Sequence, residues 1–154
     1  MSRTADQTAT LDRVLELTVL LGADMTSGLG AVGLTESRAP VVLLLHHGGP
    51  VTQRELAGAL GVTPRNVTGL VDALVETGFV TREAHPTDRR AVLVALTPHG
   101  TDVVTTMARD HVALARSLFA DLDPEVFSAF RTGLDAVVER LHRALAEAAA
   151  KDSS

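Results

Sequence analysis

Residues 51–97 read VTQRELAGALGVTPRNVTGLVDALVETGFVTREAHPTDRRAVLVALT, and the order of signals in this stretch decides the fold. Thr52 and Glu55 are spaced as a capping box: the threonine hydroxyl accepts from the Glu55 N–H, and the glutamate reaches back to the Thr52 N–H. Leu56, Ala57 and Leu60 then form an apolar stripe at helical spacing. Gly61 supplies the left-handed residue that ends a helix. Thr63 is an N-cap, and Pro64 takes the first helical position, where a missing N–H is harmless. A second helix therefore restarts within about three residues, the turn length of a helix-turn-helix.

The second helix is expected over residues 64–76, ended by Thr77 and Gly78. Val67, Leu70, Val71 and Leu74 share its apolar face, while Arg65, Asn66, Thr68, Gly69 and Asp72 fall away from it. Arginine can pair bidentately with guanine and asparagine with adenine, and a threonine methyl can touch the thymine methyl. Gly69 allows close approach to a duplex. A hairpin follows, with β-like runs at 79–82 and 91–96 around the polar turn His85-Pro86-Thr87-Asp88-Arg89-Arg90. Two arginines at an exposed tip suit the negative potential of a minor groove. Asp88 is expected to hold the loop by bonding backbone amides or a neighbouring arginine. The fold class that results is mainly α: a winged helix-turn-helix with a two-stranded wing. Thr52, Gln53, Arg54, Thr63, Arg65, Asn66, Thr68, Gly69, Arg89 and Arg90 are its candidate DNA contacts.

The flanks are helical. A first helix is expected from about Thr8 to Ala23, with Gly22, Ser27, Gly28 and Gly30 breaking the chain after it. Thr35 is expected to cap the next helix, with Pro40 early in it, Val41, Val42, Leu44 and Leu45 packing inward, and residues 46–49 ending it. After the wing, Thr97 caps a helix striped by Val103, Val104, Met107, His111, Leu114 and Leu118, and Asp123 caps the last one. Leu11, Val14 and Leu15 near one end, and Phe127, Phe130, Leu134, Val138 and Leu141 near the other, form wide apolar faces that must be buried somewhere. A second copy of the chain buries them best. Residues 34–97 are thus the reading unit, and 1–33 with 98–154 a helical dimerisation region. Two copies would set two reading heads about 34 Å apart, one DNA turn.

The chain resembles the MarR family of bacterial transcriptional regulators. The resemblance is carried by Leu34–Leu45 (LTESRAPVVLLL), Thr52–Val62 (TQRELAGALGV), Val67–Leu74 (VTGLVDAL), Gly78–Val80 (GFV) and Asp88–Gly100 (DRRAVLVALTPHG). It runs through nearly the whole chain in order. It implies a homodimer that binds a pseudo-palindromic operator on double-stranded DNA, a repressor often released by a small ligand that changes the separation of the heads. Gly69 and Ala73 stand where many relatives carry Arg or Lys, which shifts base reading onto Arg65, Asn66 and Thr68.

Composition narrows the alternatives. There is no cysteine among the 154 residues, which excludes a disulfide framework, a thiolate zinc site and a cysteine redox switch. Aromatic residues are only 3%, so the core is built from Leu, Val and Ala. The six histidines (46, 47, 85, 99, 111, 142) show no compact metal spacing; His46-His47 reads as a helix-end pair and His111 as a partly buried imidazole. No catalytic constellation and no cofactor motif is present, so the chain is not read as an enzyme. No apolar run approaches the ~20 residues of a membrane span, and MSRTADQTAT lacks a signal core, which points to the cytoplasm and away from membranes. Net charge is −5, yet residues 51–97 hold five Arg and five acids, so the reading unit is neutral. That acidic balance, with Gly69, favours one competing reading: a winged-helix protein-interaction module without DNA binding.

Overall fold

A computed structural model describes residues 3–152. Met1, Ser2, Ser153 and Ser154, which fall in the expected dimerisation region, lie outside the described residues. The order is α1 (Arg3–Ala31), α2 (Ala39–Gly48), β1 (Val51–Thr52), α3 (Gln53–Leu60), α4 (Pro64–Glu76), β2 (Val80–Ala84), β3 (Val92–Leu96), α5 (Pro98–Phe119) and α6 (Pro124–Asp152). Of the described residues 74% are helical, and the chain forms two compact units, one ending at Met107 and one beginning at Ala108.

The first unit holds the core. Val41, Val42 and Leu45 of α2, Leu56 and Ala57 of α3, and Val67, Val71 and Leu74 of α4 meet Phe79, Val80, Val94, Val103 and Val104 there. Leu44, Leu60 and Leu70 are half-buried against this cluster. In the second unit Phe119 of α5 lies near Phe127 and Phe130 of α6, with ring centroids 5.5 and 6.0 Å apart. The lower part of the α5 stripe is not buried: Leu114 is half-buried, and His111 and Leu118 are exposed.

Three expectations about element boundaries need correction. α1 does not end near Ala23 but runs through Gly22, Ser27, Gly28 and Gly30 to Ala31. It stops at Gly33, whose φ is 78°, where Leu34 N–H donates to Leu29 O at 2.9 Å. Leu29 and Leu34 are both buried, the apolar contact that completes such a stop. Thr35 does not cap α2. Its carbonyl accepts from Arg38 and Ala39, and the helix begins at Ala39 with no side-chain cap. Pro40 has no N–H to give to residue 36, so a helix begun at Thr35 would be broken there.

The two wing strands β2 and β3 pair antiparallel as expected, and β1 adds a third strand on β3, giving the order β1-β3-β2. Val51 pairs with Val94 and Thr52 with Leu93. Thr52 serves as both strand end and helix N-cap because an N-cap is extended, here with φ −73° and ψ 156°. Finally, Phe79 does not open β2; it is buried in the core, and the strand starts at Val80.

At the far end of α4, Gly78 (φ 80°) closes the helix and Phe79 N–H donates to Leu74 O at 2.9 Å. The Thr97 hydroxyl donates to Gly78 O at 2.6 Å and accepts from Gly100 N–H at 3.0 Å, while Thr97 N–H donates to Phe79 O at 3.0 Å. Thr97 thus caps α5 and ties it to the end of α4. A Cβ at Gly100 would lie 2.1 Å from Phe79 O. Gly100→Ala should therefore lower stability by about 1–3 kcal/mol. Gly69→Ala, with nothing within 4 Å of the added carbon, should raise it by about 0.5–1 kcal/mol. Urea unfolding of both variants at one protein concentration checks the pair; equal effects would contradict the tight junction.

Candidate nucleic-acid interface

α3 begins on a complete capping box. Glu55 N–H donates to Thr52 Oγ1 at 3.3 Å, and the Thr52 N–H and hydroxyl both donate to Glu55 Oε2 at 2.7 Å. The backbone bond from Thr52, aided by its hydroxyl, holds the Glu55 carboxyl below the usual carboxylate range. The cap is therefore complete at neutral pH and is lost only as pH falls through that lowered value. Thr52 and Gln53 are half-buried, and the Gln53 Nε2 is buried with no hydrogen-bond partner. Arg54 is exposed.

α4 presents the face expected of it. Thr63 caps it by accepting from Asn66 N–H at 3.2 Å, and Pro64 takes the first position. Arg65, Asn66, Thr68, Gly69 and Asp72 are all exposed. The Thr68 hydroxyl donates to Pro64 O at 2.9 Å, so its hydrogen is committed and its methyl and lone pairs remain to offer. Asp72 is committed too: Arg82 of β2 pairs with it at 2.5 Å. That ion pair links α4 to the hairpin. Sequence spacing did not reveal it, because the partners are ten residues apart across a helix end and a turn.

The wing tip is held by two side chains. Asp88 Oδ1 accepts from Arg90 N–H at 2.9 Å, one of the roles expected of it. The other holder is His85, which was read only as part of a polar turn. Its Nδ1 accepts from the backbone N–H of Thr87 at 3.2 Å and of Asp88 at 3.0 Å. Arg89 and Arg90 are exposed at the tip. Among the described residues no carboxylate pairs with Arg54, Arg65, Arg89 or Arg90.

The remaining candidates are also placed. Leu11, Val14 and Leu15 on α1 are exposed, as are Phe127, Phe130, Leu134, Val138 and Leu141 on α6. His46 and His47 close α2, while His111 is exposed rather than partly buried, since the apolar stripe around it has no cover. Among the described residues no three His, Cys, Asp or Glu side chains converge. α1 is long and apolar enough to cross a membrane by length and composition alone, although no unbroken apolar run marks it.

A helix-turn-helix with an exposed polar second helix and an arginine-tipped wing defines the class: a DNA-binding winged-helix regulator. The model of the MarR family matches residues 34–92. The uncharacterized HTH-type transcriptional regulator YfiV of Bacillus subtilis is 33% identical over 140 residues, covering 86% of this chain and 87% of its own. The HTH-type transcriptional repressor YetL of the same organism is 29% identical over 111 residues, 71% of this chain and 66% of its own. The fold is similar to the crystal structure of the YusO protein from B. subtilis, with TM-score 0.80, 19% identity, and 90% and 99% coverage of the two chains. The chain belongs to the MarR family. Its relatives are transcriptional regulators, not enzymes.

Two substitutions probe the scaffold under this surface. Thr63→Ala should reduce stability by about 1 kcal/mol through loss of the cap. Asp72→Ala should reduce it by under ~1 kcal/mol, because the ion pair is exposed. Chemical denaturation measures both, and a loss of several kcal/mol for Asp72→Ala would mean the pair is not a surface one.

Proposed function

We propose that this MarR-family regulator is a cytoplasmic homodimeric repressor that reads a pseudo-palindromic operator and is released by a small ligand. The observation that carries the reading is the face of α4. Arg65 and Asn66 are exposed there, with side chains unpartnered among the described residues, while Arg89 and Arg90 tip the wing. In this reading Arg65, Asn66, Thr68 and Gly69 meet base edges. Arg54, Arg89 and Arg90, with Gln53 and the cap residues Thr52 and Thr63, meet the backbone or minor groove.

Pairing is supported by exposed apolar area. Not one residue of α6 from 124 to 151 is buried, although Phe127, Phe130, Leu134, Val138 and Leu141 recur at helical spacing. α1 has Leu29 as its one buried residue among those described. Unpartnered stripes of this size are covered by a second copy in a soluble regulator. Residues 34–97 then read and residues 1–33 and 98–154 pair. Repression is supported by the name of YetL. For the ligand, a recess of about 430 Å³ lies where α1 leads into α2, lined in part by Leu29, Leu34 and Glu36. A ligand relieves binding only if it prefers one of two head spacings.

The competing interaction-module reading rests on the net charge of −5 and on Gly69. Gel shifts with the DNA upstream of the protein's own gene separate the two. A DNA reader loses affinity steeply with rising salt as counterions are released; salt-insensitive or absent binding would favour the module. Arg65→Ala should lose about 1–3 kcal/mol and relax preference at one base pair, whereas Arg90→Ala should weaken all sequences alike. Leu134→Asp should give monomers by sedimentation without detergent, and a persisting dimer would move the interface elsewhere.

A further inference from the structure

We propose that His85 is a positioning residue of the wing, a proton-sensitive latch that sets the loop carrying Arg89 and Arg90. Its Nδ1 faces the backbone N–H groups of Thr87 at 3.2 Å and Asp88 at 3.0 Å, with the Thr87 hydroxyl at 3.4 Å. Backbone N–H groups only donate, so Nδ1 is the acceptor and the ring's hydrogen sits on Nε2. The arrangement is that of an Asx turn, in which a side chain two residues back holds the amides of a turn, with imidazole in place of the usual Asn or Asp. Pro86 fixes the intervening φ.

A second proton on the ring goes to Nδ1. It turns the acceptor into a donor aimed at two other donors, so the latch opens. Histidine is the side chain that ordinarily makes this change between pH 5 and 8. What remains is the His85 N–H bond to Ala91 O at 3.2 Å at the base of the loop, the Asp88 contact to Arg90 N–H at 2.9 Å and the pairing of Ala91 N–H with Asp88 O at 3.1 Å, none of which positions the Thr87 and Asp88 amides. Glu55 of α3 interacts with the imidazole electrostatically, and the hairpin that carries His85 also carries Arg82, Glu83, Asp88, Arg89 and Arg90. The latch therefore lowers DNA affinity on acidification. A histidine that met phosphate directly would do the reverse.

The latch itself is tested without DNA, on the full-length isotope-labelled protein by NMR. At pH 7.5 His85 should be the Nε2–H tautomer, and the Thr87 and Asp88 amides should be protected from exchange. Both amide signals should move with the His85 titration and lose protection below it. An Nδ1–H tautomer, or amides indifferent to that titration, would overturn the proposal. The consequence rests on the reading of the wing as a DNA contact and is tested separately, with the upstream DNA fragment at constant salt. H85A should bind roughly five- to tenfold more weakly at pH 7.5. H85N, whose Oδ1 replaces Nδ1 as acceptor, should bind within about twofold of wild type. Between pH 7.5 and 5.5 wild type should weaken and H85N should not. H85N as weak as H85A, or wild type binding more tightly at low pH, would refute the consequence. An intact NMR latch with no DNA binding at all would instead count against the wing reading.

Discussion

The geometry of the reading surface depends on one junction, where the Thr97 hydroxyl joins Gly78 O to Gly100 N–H. Three elements end or begin within a few residues of it: α4 stops at Glu76, β3 at Leu96, and α5 starts at Pro98. A single side chain satisfies the orphan carbonyl of one helix end and the orphan amide of another. The approach is close enough that only glycine fits at 100. Phe79, whose carbonyl Gly100 abuts, fills the core from the same spot. That contact ties the end of α4 and the root of the hairpin to the start of α5. The Asp72–Arg82 pair adds a second tie further along.

This arrangement reconciles a neutral reading unit with an anionic partner. Of the five acids in residues 51–97, Glu55 is bonded to Thr52, Asp72 to Arg82, and Asp88 to the Arg90 amide. Their charge remains, but their oxygens are committed to the chain. Arg54, Arg65, Arg89 and Arg90 have no carboxylate partner among the described residues. Affinity follows the local field rather than the total charge.

Much of this was legible in the sequence, and the failures have physical causes. The caps at Thr52, Thr63, Thr97 and Asp123 were readable because each is a local hydrogen bond between residues two or three apart. The break after α1 was misplaced because glycine alone is an ambiguous stop. What distinguishes Gly33, Gly61 and Gly78 is an apolar residue just after and another five before that: Leu34 with Leu29, Val62 with Ala57, Phe79 with Leu74. Gly22, Gly28 and Gly30 face Thr18, Asp24 and Thr26 at that spacing, so the helix passes through them. β1 was invisible because two residues carry no periodicity. Of the site, the polar face of α4 and the arginine tip were readable from pattern. The Asp72–Arg82 pair and the His85 turn were not, since one spans two elements and the other uses a residue type seldom counted as a turn former.

The central claim of the proposed function is that α4 enters a major groove twice over, once from each of two copies. Hydroxyl-radical footprinting of the upstream DNA reads this directly. Two protected patches on one face of the duplex, with centres one turn or about 10 base pairs apart, are the expected result. A single patch, or uniform protection that vanishes with competitor DNA, would contradict it.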